Sequence, residues 1–227
     1  MAKGTKNSDR RNLFQELSSG VDAMRDDREG RLELRRQTIE PAKLYQLKVT
    51  LMETEPPIWR RLRVPGDTTL ARLDRIIQTA MGWTNSHLHT FTAGGVVYAD
   101  PNPEWEIKVR NERRARLGGI AREEGEAFVY EYDMGDSWRH QVVVEDVLVE
   151  SEDTVRPLCL AGERACPPED CGGVQGYYET LECLRDPDHE EYEKTKTWIE
   201  AMTGGPFDPD AFDIEAVNRA LQAFDRP

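Results

Sequence analysis

Long hydrophobic runs are missing from this 227-residue sequence, and no stretch approaches the roughly 20 apolar residues that span a bilayer. The N-terminus MAKGTKNSDRR also lacks the apolar stretch that follows the basic region of a secretion signal. Both absences point to a cytoplasmic protein with no membrane contact. Cysteine is scarce, four in all, and a chain of this length can build a core without disulfides. In a reducing compartment clustered thiols suggest metal binding or catalysis rather than bridges. Neither a phosphate-cradling Gly-Lys-Ser/Thr loop, nor a serine elbow, nor a dinucleotide fingerprint is present, which removes several common nucleotide and hydrolase signatures.

Positive charge is also in short supply: 30 Lys and Arg face 43 Asp and Glu, a formal net charge of -13. The imbalance is concentrated after Ser151, where 18 acids meet 7 basic residues. Such a surface repels a nucleic-acid backbone, so a nucleic-acid partner would need a local basic patch. The segment KVRNERRARLGGIAR supplies one, with Lys108, Arg110, Arg113, Arg114, Arg116 and Arg122 around a single acid, Glu112. It lacks interleaved aromatics for stacking bases, so a phosphate-binding face and a solvated face both fit. Whether the partner is protein or nucleic acid stays open.

Residues 1–40 look like an appended arm, in which Leu13, Leu17, Val21 and Met24 recur at helical spacing. From Tyr45 the period changes to two: Tyr45, Leu47, Val49 and Leu51 share one face, as on a half-buried strand. IWRRLRVP predicts a second strand. TTLARLDRIIQTAMGW predicts a helix that starts at a Thr cap, buries Leu70, Leu73, Ile77 and Met81, and stops at Gly82. A hairpin around Gly94-Gly95 and strands over AFVYEYDMG and from Trp138 follow. That order predicts an α+β fold, a mixed sheet wrapped on one helix in a β-grasp-like manner. Residues 41–227 then form one domain, with a sheet-plus-helix part over 41–150 and a Cys-loop and helical part over 151–227. In the latter, Asp186-Pro187 predicts the start of a helix carrying Tyr192, Thr195, Ile199 and Met202, and Asp213 caps the last one, with Ile214, Val217, Leu221 and Phe224 as its apolar stripe.

Three thiols crowd into CLAGERACPPEDCGG, with Cys159, Cys166 and Cys171 spaced C-x6-C-x4-C among Pro and Gly. A loop so spaced can wrap one zinc ion, which needs four ligands, and His140 is the preferred fourth. The alternative is buried free thiols, with the Pro-Pro and Gly-Gly pairs shaping the turn. Cys183 lies in an amphipathic helical segment. His87 and His89, two apart in NSHLHTF, would share one face of a strand. With Asp136 or His140 nearby they could form an open metal site or an acid/base pair, or simply pack with hydrogen-bond partners. Asp133 and Asp136 around Gly135 also suit a tight turn.

Taken together, PPIWRRLRVP, TLARLDRIIQTAMGW, HLHTF, YEYDMGDSWRH, ACPPEDCGGVQGYYETLECLRDPDHEEY and FDPDAFDIEAVN resemble the plasmid pRi ORF-three-like family over Leu44 to Phe224. The resemblance implies an α+β fold and a home among plasmids and transposons, where a related insertion-sequence passenger carries a TnpR-like label. It implies no established reaction, and no recombinase signature accompanies that label here. Where this chain has Cys183 the family commonly has Ala, which leaves the thiol trio in want of a His. The expectation is a non-enzymatic, zinc-stabilised binding or accessory protein of mobile elements. The alternative is a metal-dependent hydrolase, for instance of phosphodiesters, using His87, His89, Asp136 and His140.

Overall fold

The computed structural model describes Ser19, Val21, Asp22 and Arg25 and residues 42–101, 107–150 and 156–224. The chain divides into two units, Met1–Glu40 and Pro41–Pro227. In the first, the four described residues are helical and exposed; Leu13, Leu17 and Met24 of the expected stripe lie outside the described residues.

In the second unit, period-two segments give the strands. β1 (Ala42–Leu51), β2 (Trp59–Pro65), β3 (His89–Ala93), β4 (Val96–Ala99), β5 (Arg110–Asn111), β6 (Ala127–Tyr132), β7 (Trp138–Glu150) and β8 (Leu158–Glu163) form one sheet, in the order β5-β4-β3-β6-β7-β1-β2-β8. All pairs are antiparallel except β4 with β5 at one edge, so the fold is α+β with a mixed sheet. Alternation decides the faces. Tyr45, Leu47, Val49, Leu62, Val64, Phe91, Tyr130, Trp138, Val142 and Val144 are buried on the core side. The other face is polar enough to carry the Arg61–Glu145 pair, in which Arg61 Nη2 donates to Oε1 at 2.8 Å.

The helices are α1 (Leu70–Met81), α2 (Leu117–Ile120), α3 (Gly173–Arg185), α4 (Tyr192–Thr203) and α5 (Ile214–Leu221). α1 follows its sequence signals: the Thr69 side chain accepts from the Arg72 amide, and Gly82 closes the helix at φ 102°. Its buried residues Leu70, Leu73, Ile76, Ile77 and Met81 each contribute about 1.5–3 kcal/mol of burial. Asp213 caps α5 by accepting from the Glu215 and Ala216 amides at 2.9 Å. Gly94 and Gly95, at φ 54° and 76°, make the two-residue hairpin between β3 and β4 with the positive φ that such turns require.

Two sequence expectations change. Cys159 lies on strand β8, which pairs with β2, so the second half of the unit completes the sheet instead of being only loop and helix. Asp186 ends α3 rather than starting α4; its side chain accepts from the Asp188 amide, and α4 begins at Tyr192. The intervening turn is held by His189, whose Nδ1 accepts from the Glu191 amide at 3.1 Å. No described helix is long and apolar enough to cross a membrane.

Candidate functional site

A cleft of about 730 Å³ opens between α1, the segment entering β3, the turn after β5 and Phe224. Its floor is His89. The ring lies between two carboxylates, with Nε2 2.7 Å from Glu112 Oε2 and Nδ1 3.3 Å from Asp74 Oδ1. Asp74 is brought there by α1, one turn after Leu70 and one turn before Gln78, on the helix's buried face. Glu112 opens the 3-10 turn after β5 and is itself buried. The network continues beneath the helix: Tyr130 Oη donates to Asp74 Oδ1 at 2.7 Å, and Gln78 Nε2 donates to Tyr130 Oη at 2.7 Å.

Burial opposes charge on His89, but the hydrogen bond to Glu112 and the Asp74 and Glu112 charges outweigh it, so its pKa stands above the usual 6.5. Burial raises the Asp74 carboxyl, against the lowering pull of the His89 charge and the Tyr130 hydroxyl. Tyr130 is raised by the same burial and by Asp74. An imidazolium with both N–H groups directed at carboxylates has no ring nitrogen left to exchange a proton with a ligand.

His87 also lines the cleft, but it precedes β3 instead of lying on it. The two histidines therefore do not act as a strand pair, and each faces its own acids. His87 Nε2 is 3.3 Å from Asp170 Oδ1 and 3.6 Å from Asp133 Oδ2. Among the described residues, His87, Asp133 and Asp170 are the group whose donor atoms all lie within 4.8 Å of one another. His89, Asp136 and His140 are not in it. Asp136 instead accepts from the Gly172 amide through Oδ2 at 3.1 Å. His140 lies wholly buried on β7, with Trp83 edge-on at 5.2 Å and Tyr130 at 5.4 Å. Burial pulls its pKa down to about 4, so it is a neutral ring in the core.

Cys159, Cys166 and Cys171 are likewise outside that group, and the structure does not bring them together with His140. Cys159 Sγ turns to the Ala161 carbonyl at 3.4 Å and Cys171 Sγ to the Gly173 carbonyl at 3.8 Å. Burial raises all three thiols, Cys171 to about 12, and all four cysteines are free. Cys183 Sγ lies 3.3 Å from Thr195 Oγ1, joining α3 to α4. The Cys-rich loop is fastened to the sheet by other residues. Trp83 Nε1 donates to the Pro167 carbonyl at 3.0 Å, and Glu169 accepts from the Thr84 amide and the Tyr132 hydroxyl.

Of the basic segment, Lys108, Arg110, Arg113, Arg114 and Arg116 are all exposed, and Arg113 reaches the cleft, where it pairs with Asp100 at 3.0 Å. Arg72 and Arg75 approach from α1. Arg72 donates to the Phe224 carbonyl, and the Arg75 guanidinium lies 5.8 Å from the centre of the Phe224 ring.

The family model described as plasmid pRiA4b ORF-3-like protein matches residues 43–216, a span holding both halves of the sheet domain and nearly all of the cleft. The chain belongs to the plasmid pRiA4b ORF-3-like family. Within reach of that assignment, the uncharacterized protein y4hQ of Sinorhizobium fredii (strain NBRC 101917 / NGR234) is 38% identical over 181 residues, 79% of this chain and 91% of that protein. The crystal structure of MM3350 from Methanosarcina mazei Go1, a protein of unknown function, shares the fold at a TM-score of 0.68 and 37% identity, covering 77% of this chain and 97% of that one.

Proposed function

We propose that this member of a plasmid-associated family is a non-enzymatic binding protein that takes a phosphate-bearing, nucleotide-sized ligand in the His89 cleft. One observation carries the reading: Arg72, Arg75 and Arg113 converge on a single cleft in a chain whose formal charge is -13. Arg72 and Arg75 stand three apart on α1 and so share a helix face. Asp74 and Glu112 already face the His89 ring, which limits their repulsion of an anion, and a phosphate engages the Arg113 fork in competition with Asp100. Arginine's planar fork suits phosphate oxygens. The volume is within the roughly 300–1,000 Å³ of small-molecule sites, and the exposed Lys108, Arg110, Arg114 and Arg116, close to Arg113 in sequence, add positive charge that a longer nucleic-acid strand could use.

A binding role suits the floor of the cleft better than catalysis, because His89 has both nitrogens on the buried carboxylates of Asp74 and Glu112 and keeps none for proton exchange with a ligand. The test is fluorescence anisotropy with a labelled nucleoside triphosphate and a labelled short single strand. Wild-type protein binds at low salt, Arg75→Ala and Arg113→Ala each weaken binding roughly tenfold, and affinity falls as salt rises. Binding that is absent, or equal in both variants and the wild type, removes the reading.

A further inference from the structure

We infer that His87, Asp133 and Asp170 form a binding site for one first-row divalent cation, placing the metal chemistry of the Cys-rich loop on its aspartate instead of its thiols. The three side chains come from separate segments: the approach to β3, the turn between β6 and β7, and the loop after β8. Their donor atoms nevertheless lie within 4.8 Å of one another. The nitrogen-to-oxygen distances of 3.3 and 3.6 Å exceed the ~2.7–2.9 Å of a charge-assisted hydrogen bond. They match the roughly 3.3–3.6 Å that separates donors bound about 2.0–2.2 Å from a tetrahedral ion. One imidazole with two carboxylates is a mixed nitrogen and oxygen set suited to Zn²⁺ or Mn²⁺.

His87 and Asp133 are held at their side chains, and Asp170 by anchored backbone on either side of it. The His87 ring stands edge-on to Tyr132 at 5.7 Å, and its amide donates to the Tyr132 hydroxyl at 3.3 Å. Asp133 Oδ1 accepts from the Gly135 amide at 2.9 Å, which leaves Oδ2 as the oxygen facing His87. Asp170 sits between Glu169, anchored to Thr84 and Tyr132, and Gly172, whose amide donates to Asp136. The Gly135 bond to Asp133 is an outer hydrogen bond of the kind that fixes the orientation of a metal ligand. The Asp170 side chain is 63% exposed, so water can complete the coordination. The ion would cross-link the loop to the sheet and, because His87 also lines the cleft, would stand at its wall.

The site does not rest on the anion reading and is tested without any phosphate ligand. Isothermal titration of the full chain uses Zn²⁺ alone and Mn²⁺ alone. One ion binds per chain, His87→Ala and Asp170→Asn each weaken it by roughly tenfold or more, and Cys171→Ser leaves it unchanged. Asp170→Asn alters an exposed side chain, so its result stands even if His87→Ala disturbs folding. No saturable binding by the wild type, wild-type affinity in Asp170→Asn, or loss of binding in Cys171→Ser overturns the inference.

Discussion

His89 Nε2 stands 2.7 Å from Glu112 Oε2, across 23 residues of sequence. The only acid in a stretch of arginines is the one turned inward, and it neutralises the imidazolium that floors the cleft. Because the His89 pKa is raised in the folded state, its stabilisation is fully present below about pH 6.5, the unfolded value, and is lost as pH rises through the folded one. Glu112→Gln keeps the shape but removes the charge. Denaturant unfolding at about pH 6 and about pH 9 is expected to show a smaller loss with rising pH in the variant than in the wild type. The same loss in both would contradict the pairing.

His140 gives the opposite sign. A ring whose pKa is lowered from 6.5 to about 4 takes up a proton in the unfolded chain first, so stability falls as pH drops from about 6.5 toward about 4, by on the order of 3 kcal/mol. The raised Asp74 carboxyl opposes this over part of the acid range, and comparison with His140→Leu cancels that common contribution. The variant should lose less stability on acidification than the wild type; parallel acid limbs would contradict a neutral buried ring.

Gly176 fixes the entry of α3 beneath the Cys-rich loop. A Cβ there would stand 1.9 Å from the Cys171 carbonyl oxygen, which is backbone and has little room to move. Gly176→Ala is expected to destabilise by about 3 kcal/mol, read as a fall in melting temperature. An unchanged melting temperature would show that the loop yields.

Local signals gave the elements, and long-range pairing decided the site. Thr69, Gly82, Gly94-Gly95 and Asp213 each marked a boundary, since caps and turns depend on a few neighbouring residues. The cleft depended on partners far apart in sequence. Asp74 held a readable signal, a carboxylate four residues after Leu70 and three before Ile77 on an apolar face. Arg60 held another, since period two places it with Leu62 and Val64; it is buried, with Nε donating to the Ala80 carbonyl at 2.8 Å. Cysteine spacing reveals proximity along the chain but not which way a thiol turns, and Cys159 and Cys171 turn to the Ala161 and Gly173 carbonyls. Cys159 entered a strand, and the loop's Pro167, Glu169 and Gly172 made the contacts that hold it in place.

Amide NMR of the isotopically labelled full chain, titrated with a nucleoside triphosphate, tests the cleft directly. The account predicts shifts concentrated at Arg72, Arg75, His89, Arg113 and Phe224 that saturate together and disappear at high salt. Shifts confined to the Arg61–Glu145 face of the sheet, or no shifts at any concentration, would contradict it.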